Sequence, residues 1–515
     1  MKQFTRRDFL KTAAATLGGA AFSTGLSALG WKDAARPNII VILMDALSAR
    51  HMSLYGYPRL TTPNIDSFSQ RATVYHNHIS GGNYTTPGTA SMLTGMYPWK
   101  HGATIGGGFV RERFASINPY RLLGGEYRRF AFAQNTWADR LLGQYASDID
   151  VFLSPFSYTL MSRDPLLWTF PKDRAMGSLA MGDFLFTIDG TQALPGSLAL
   201  GYLSKVGRKS AVLNQINKVY PKGLPTVMND IPYKNEEVYN GVYEQISSLA
   251  EQPDPFFAYF HLFSPHGPCR PRNNYRKLFA KDGFTPPEKA PHPLQDIAAL
   301  PYLKTADLLQ RERNLYDSQI AQIDDEFGKL IRRLEEVGAL ENSYVVLTAD
   351  HGELFERGYW GHGEIFMYEG ATHIPLLIRA PEQNQRRDIF SLTSNADLLP
   401  TLLSIAGKEI PAEIEGQPLP NFGGQEDKNR AVFSMYAREN SVFAPMTKAA
   451  LSIYKGSKKL IAYLGYSEAQ FFELYDLRED PEEMKNIAAK DDAAFKALKD
   501  ELFAALHTAN QLFQT

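Results

Sequence analysis

Cysteine is almost missing from this chain: Cys269 is the single thiol in 515 residues. One thiol excludes an intrachain disulfide, so stability must come from core packing, with a metal as the available supplement. A surplus of either charge is missing too, with 54 Lys and Arg against 56 Asp and Glu. Without a basic excess nothing draws the chain to nucleic acid or to an acidic membrane surface. Long apolar runs are also lacking after the N-terminal segment, so no later stretch offers a transmembrane helix. What is present is the composition of a globular protein, 44% hydrophobic and 21% charged, in a chain long enough for two to four structural units.

The first 35 residues differ from the rest. Thr5-Arg6-Arg7-Asp8-Phe9-Leu10-Lys11 precedes an uncharged run, Thr12 to Gly30, of mostly Ala, Gly, Leu, Ser and Thr. Paired arginines, Phe-Leu and a weakly hydrophobic stretch follow the order of a twin-arginine export signal. Gly18, Gly19 and Gly25 make the run too polar for a comfortable membrane span. The expectation is a periplasmic or otherwise exported protein that uses the twin-arginine machinery, with a signal over 1–35.

Beyond that segment, Asn38 to Met44 is a continuous apolar run rich in β-branched residues, as in a central parallel strand buried on both faces, and it ends in Asp45. Ligands gather beyond the carboxyl ends of strands in open α/β sheets, which makes Asp45 a metal or catalytic candidate. The stretch Thr85-Thr86-Pro87-Gly88-Thr89-Ala90-Ser91-Met92-Leu93-Thr94-Gly95 reads as a loop turning into a helix whose Ser and Thr hydroxyls can cap its start. A helix start attracts anions. Phe256 to Leu262 predicts another strand, running into Ser264-Pro265-His266-Gly267-Pro268, and Tyr344 to Ala349 a third, ending in Asp350-His351-Gly352-Glu353. Leu309 to Val337 has the apolar spacing of a long core helix, closed by Gly338.

Strands alternating with helices predict an α/β fold with a large, mainly parallel sheet flanked by helices over residues 36–410. Within it, 103–250 reads as insertion loops that shape the pocket, apart from a strand near Arg129 to Gln134. Short runs at Ala431–Tyr436, Ala449–Tyr454, Lys459–Leu464 and Phe471–Leu477, then a helix near Ala493–Leu512, predict a smaller α+β subdomain with an antiparallel sheet over 411–515.

Taken together, these segments resemble the sulfatase-like branch of the alkaline phosphatase superfamily. The resemblance is carried by Arg36-Pro37-Asn38 leading to Asp45, Tyr55-Gly56, Thr62-Pro63-Asn64-Ile65-Asp66, Leu93-Thr94-Gly95 with Tyr97-Pro98 and His101-Gly102, and Ser264-Pro265-His266. It continues through Asp350-His351-Gly352-Glu353, Asp397 to Leu403, and Glu473-Leu474-Tyr475-Asp476-Leu477 with Asp480-Pro481 and Asn486. The departures lie at the anion site. Thr85 stands where such enzymes carry the Cys or Ser that becomes formylglycine, Thr89 where they carry Arg, and Ala46 where a second metal Asp is common. Their Gly-Lys-Trp-His segment has no counterpart near Gln134-Asn135-Thr136.

The resemblance implies one divalent ion held by Asp45, Thr85, Asp350 and His351; a mixed oxygen and nitrogen shell favours Zn²⁺ or Mn²⁺, while Ca²⁺ or Mg²⁺ is common in sulfatase relatives. Threonine cannot form the aldehyde, and at this position it resembles the nucleophile of relatives that act on phosphorus. The expected chemistry is therefore phosphate-ester hydrolysis through a phospho-threonine, with His266 and His362 as acid and charge-stabilising groups and Asn83, Lys100 and Asn135 as oxyanion contacts. Substrates expected are small-molecule, glycan or lipid esters. The alternatives are a sulfuric ester hydrolase that works without formylglycine and a non-catalytic binder of sulfated or phosphorylated glycans or lipids.

Overall fold

The apolar run that precedes Asp45 forms strand β1, Asn38–Met44, in the centre of an eight-stranded sheet. The computed structural model describes residues 36–160, 219–227, 231–294, 303–467 and 470–513. The export-signal reading over 1–35 and much of the 103–250 span lie outside the described residues. The sheet is completed by β2 (Thr73–Ile79), β3 (Arg128–Ala133), β4 (Val151–Leu153), β5 (Phe256–Leu262), β6 (Ser343–Thr348), β7 (Leu376–Arg379) and β8 (Arg387–Ser394). Their order across the sheet is β8-β2-β7-β6-β1-β5-β3-β4. Every pairing is parallel except the two made by β7.

Alternation along β1 sends its side chains to two cores: Ile40, Ile42 and Met44 to one face, Ile39, Val41 and Leu43 to the other. The flanking helices are α1 (Pro63–Ser69), α2 (Thr85–Thr94), α3 (Thr136–Gly143), α4 (Asn235–Ala250), α5 (Ala306–Glu336) and α6 (Leu398–Ile405). Helix α5 buries Tyr316, Ile320, Ile323, Phe327, Leu330 and Leu334 in the first core, at the spacing its sequence predicts. Met92 and Leu93 of α2 and Leu399, Leu402 and Leu403 of α6 enter the second.

The C-terminal sheet is antiparallel, in the order β9 (Ala431–Tyr436), β10 (Ala449–Lys455), β11 (Lys458–Leu464) and β12 (Phe471–Asp476). Gly456, at φ 58°, makes the left-handed turn between β10 and β11. Helix α7, Asp492–Asn510, packs its Leu498, Leu502 and Leu506 against this sheet. The α/β class with a smaller antiparallel subdomain is thus as the sequence predicts.

The strand expected near Arg129 to Gln134 is β3, which lies directly beside β5, while β4 and helix α4 correct the reading of the rest of 103–250 as insertion loops only. The Thr62-Pro63-Asn64-Ile65-Asp66 stretch opens helix α1 at Pro63, where the missing N–H costs nothing. Strands β2 and β8 were not anticipated, since their runs carry His76, Asn77, His78, Arg387 and Asp388 among apolar residues.

Candidate active site

Four neighbouring parallel strands, β6, β1, β5 and β3, bring their carboxyl ends to one edge, and each delivers polar side chains there. Asp45 follows β1, Asp350 and His351 follow β6, His261 lies in β5 with His266 just beyond it, and Asn135 follows β3. Helix α2 brings Thr85 as its first residue.

Asp45, Asp350 and His351 are completely buried, and one donor atom from each lies within 4.8 Å of the others. The His351 Nε2 stands 3.4 Å from Asp45 Oδ1, 3.7 Å from Asp350 Oδ2 and 3.4 Å from Thr85 Oγ1. His351 Nδ1 lies 2.8 Å from the Gly352 carbonyl, which can only accept, so Nδ1 carries a proton and Nε2 is the nitrogen turned to the cluster. Asn135 Nδ2 donates to Asp45 Oδ2 at 2.5 Å and to Thr85 Oγ1 at 3.2 Å. Asp350 Oδ1 accepts from the backbone N–H groups of Ala46 and His351.

Asp45 Oδ1 and Asp350 Oδ2 remain without a hydrogen-bond partner although both are buried. Burial raises the Asp45 carboxyl, but His266, His261 and His351 outweigh it and hold the group well below its usual range. Burial and the charge of Asp45 push Asp350 up. For His351 burial acts downward, and the two aspartates overcome it to raise the ring to about 9, so Nε2 holds a proton until a bound cation takes its place between the carboxylates and frees the lone pair. Two buried carboxylates that share unsatisfied oxygens with a lone-pair nitrogen fit a divalent cation, whose charge would balance both. Asp45, Asp350 and His351 would hold it, with Thr85 Oγ1 adjacent.

Thr85 opens α2 without a side-chain cap, the residue before it being Tyr84. The hydroxyl capping expected for this turn is therefore absent, because the Thr85 oxygen is turned toward Asn135 and His351 instead. The helix approaches the metal-site loop at Gly88, where an added Cβ would stand 2.3 Å from the Asp350 carbonyl oxygen. Only glycine permits that approach.

The imidazoles of His351 and His362 lie 4.3 Å apart, and those of His362 and His266 4.7 Å, so both expected histidines face the cluster. His266 Nδ1 donates to the Gly267 carbonyl at 2.8 Å, leaving Nε2 for other work. His362 Nδ1 lies 2.9 Å from Glu353 Oε2. Burial pushes His362 down, and His351 and His266 add to this against the pull of Glu353.

Two expected contacts are placed elsewhere. Asn83 spends its amide hydrogens on the carbonyls of Glu364 and Phe366, so it ties down the His362 loop and has no donor for an oxyanion. The Lys100 ammonium stands 6.0 Å from the Phe114 ring centroid, a cation–π contact in place of the expected anion contact. Sequence reasoning missed His261. Its Nε2 lies 3.4 Å from Asp45 Oδ2 and 3.6 Å from Asp350 Oδ2 without completing a hydrogen bond, while Nδ1 meets the Tyr259 hydroxyl at 3.1 Å. A histidine inside a wholly buried strand was the available signal. Glu353, which orients His362, was also missed as a site residue.

The sulfatase family model matches residues 37–118 and 201–408, and the model described as N-sulphoglucosamine sulphohydrolase, C-terminal, matches 356–511. Arylsulfatase K of Xenopus laevis is 32% identical over 490 residues, covering 88% of this chain and 80% of that protein. N-acetylglucosamine-6-O-sulfatase of Bacteroides thetaiotaomicron is 33% identical over 514 residues, covering 90% and 84%. The crystal structure of the phosphonate monoester hydrolase of Agrobacterium radiobacter shares the fold, with TM-score 0.66 at 23% identity over 92% of this chain and 96% of that one. The chain belongs to the sulfatase family, whose members hydrolyse ester bonds on the alkaline phosphatase fold.

Proposed function

We propose that the protein is a metal-dependent hydrolase of phosphate esters in which Thr85 is the nucleophile. The observation that carries this reading is the position of Thr85 Oγ1, 3.2 Å from Asn135 Nδ2 and 3.4 Å from His351 Nε2, at the start of α2 beside two buried aspartates. A divalent ion, Zn²⁺ or Mn²⁺ before Ca²⁺ or Mg²⁺, would lower the cost of ionising the threonine hydroxyl. Thr85 gives its hydroxyl proton to solvent and its Oγ attacks phosphorus; the Oγ–P bond forms as the bond to the leaving oxygen breaks, and His266 or His362 supplies that oxygen with a proton. Water then attacks the phospho-threonine and releases phosphate with Thr85 restored. General-acid help of this kind contributes ~10²–10⁴-fold.

Phosphorus is favoured chemically because threonine cannot form the aldehyde through which formylglycine expels sulfate. The second reading, sulfuric ester hydrolysis without formylglycine, is supported by the names of the two relatives above, both sulfatases. Small-molecule, glycan or lipid esters are the proposed substrates, and export by the twin-arginine route to the periplasm is part of the same proposal, from Arg6 and Arg7.

The deciding experiment compares chromogenic phosphodiester, phosphomonoester and sulfate ester with each divalent ion, using Thr85→Ala as control, and adds acid-quenched mass spectrometry of the wild type. Phosphoester turnover that the variant lacks, with one phosphoryl group trapped on the Thr85 peptide, supports the proposal. Sulfate turnover with inert phosphoesters overturns it.

A further inference from the structure

We propose that the loop 104–110 and the first turn of α3 form the subsite for the leaving group of the ester, a platform made by Ile105, Phe109 and Trp137 that selects an apolar face about the size of one ring. The inference rests on Thr85 as the attacking group. It begins from exposure: Ile105 is 44% exposed, Phe109 46% and Trp137 36%, although each is a large apolar side chain. Ile105 and Phe109 flank the glycines that meet the Trp137 indole. A Cβ on Gly106 would stand 2.8 Å from the Trp137 indole and one on Gly107 3.4 Å from it, so the loop lies directly on the ring. Arg140 lies over Phe109 at 5.1 Å, and Arg438 over Trp137 at 5.8 Å.

The patch is tied to the reacting centre from both sides. The Gly107 N–H donates to Thr86 Oγ1 at 3.0 Å, and the Tyr84 hydroxyl donates to the Thr104 carbonyl, so the loop is bonded to the residues flanking Thr85. The backbone N–H of Trp137 donates at 2.8 Å to Asn135 Oδ1, and the same Asn135 side chain donates to Thr85 Oγ1. An ester held for attack by Thr85 therefore has this platform beside it. Exposed apolar side chains close to a polar site can orient an amphiphilic ligand. Arg438 comes from the C-terminal subdomain and limits the open side of the indole, which assigns part of the selectivity to that subdomain.

The test uses the full-length protein and a series of esters of methanol, benzyl alcohol, cyclohexylmethanol and the 6-hydroxyl of glucose, alcohols of similar acidity, in whichever of the phosphate or sulfate series turns over. Burial of one ring predicts a KM about tenfold lower for the benzyl and cyclohexylmethyl esters than for the methyl ester. Trp137→Ala should collapse that ratio to about twofold, and Trp137→Phe should keep most of it. Benzylphosphonate, which has no ester bond to lose, should quench indole fluorescence in the wild type and in Thr85→Ala, and not in Trp137→Phe. An unchanged KM ratio in Trp137→Ala, or quenching that survives Trp137→Phe, overturns the subsite. A glucose ester preferred over the benzyl ester overturns the apolar selectivity. Turnover retained by Thr85→Ala defeats the nucleophile reading instead, and the Trp137 ratio tells the two failures apart.

Discussion

At the scale of single residues, the site is a set of polar atoms left open by the fold. Asp45 Oδ1, Asp350 Oδ2 and His261 Nε2 are buried and without partners, an arrangement that costs stability unless a cation and its ligands complete it. His261 Nε2 stands 3.4 Å from Asp45 Oδ2 and 3.6 Å from Asp350 Oδ2, so it borders both carboxylates. His261→Phe is expected to weaken Zn²⁺ or Mn²⁺ binding by about 10–100-fold in chelator competition, with His261→Gln recovering part of it. Equal affinity in the phenylalanine variant would remove that role. Thr85→Ala should lower kcat by on the order of 10³-fold or more, and Thr85→Ser should keep measurable turnover, because the hydroxyl is retained. Asp45, Asp350 and His351 were legible in the sequence because acids follow apolar strands; His261 was hidden inside one, where a polar residue carries no positional mark. Asn83 and Lys100 were read as anion contacts from nearness to motifs, and nearness along the chain does not report where an amide or ammonium points. A further residue-scale effect concerns pH. His101 accepts the Ala103 N–H on Nδ1 and meets Ser91 Oγ through Nε2, and burial with the Arg111 charge pushes its ring down to about 3. The unfolded chain, titrating near the ordinary 6.5, binds more protons than the folded one between those values. Stability is then complete above pH 6.5 and falls as pH drops toward 3, by about 1.4 kcal/mol per pH unit per proton. His101→Gln should flatten the dependence of urea-unfolding free energy on pH across that window; an unaltered slope would place the acid sensitivity elsewhere.

At the scale of elements, one close approach sets helix α2 against the loop that carries Asp350 and His351. Helix α2 is positioned against the loop after β6 at Gly88, where the Asp350 carbonyl leaves no room for a methyl group. Gly88→Ala must therefore move the helix that carries Thr85 relative to the loop that carries Asp350 and His351. A displacement near 1 Å costs about a hundredfold in rate. The expected result is a large fall in kcat/KM that exceeds any shift in the urea midpoint; wild-type kinetics would show that the interface yields without moving Thr85. The long helix α5 and the strands β1, β5 and β6 were readable because their apolar patterns are continuous and undisturbed by charge. Strands β2 and β8 were not readable, because each has a face that carries polar groups, among them the His76–Asp388 pair at 2.6 Å. Such a strand is defined by its neighbours more than by its own residues.

At the scale of the whole molecule, the C-terminal subdomain completes the fold and does not hang from it. The Met435 N–H donates to the Gly81 carbonyl, so β9 reaches the segment just before Thr85. Ala396 shares a core with the C-terminal sheet, and Tyr97 and Trp99 enter the same core from the segment after α2. A change in sequence pattern marked the runs of the C-terminal sheet, but this interleaving was not legible, because contacts such as Met435 with Gly81 join residues far apart in the chain. One ion pair concentrates the coupling: Arg430, just before β9, donates to both oxygens of Asp397, just before α6, with side-chain exposures of 11% and 0%. Asp397 also accepts from the Ser394 and Gln417 N–H groups, so its position does not depend on Arg430 alone. Removing the guanidinium leaves the Asp397 charge buried and unbalanced, at a cost of about 3–5 kcal/mol. Arg430→Ala is expected to lower the urea midpoint of the whole protein in one transition, whereas Arg430→Met with Asp397→Asn should recover much of the loss, because no charge is then stranded. If Arg430→Ala instead splits the unfolding curve in two, the subdomains are held together chiefly by this pair, and the shared core around Ala396 and Trp99 is too weak to make them unfold as one.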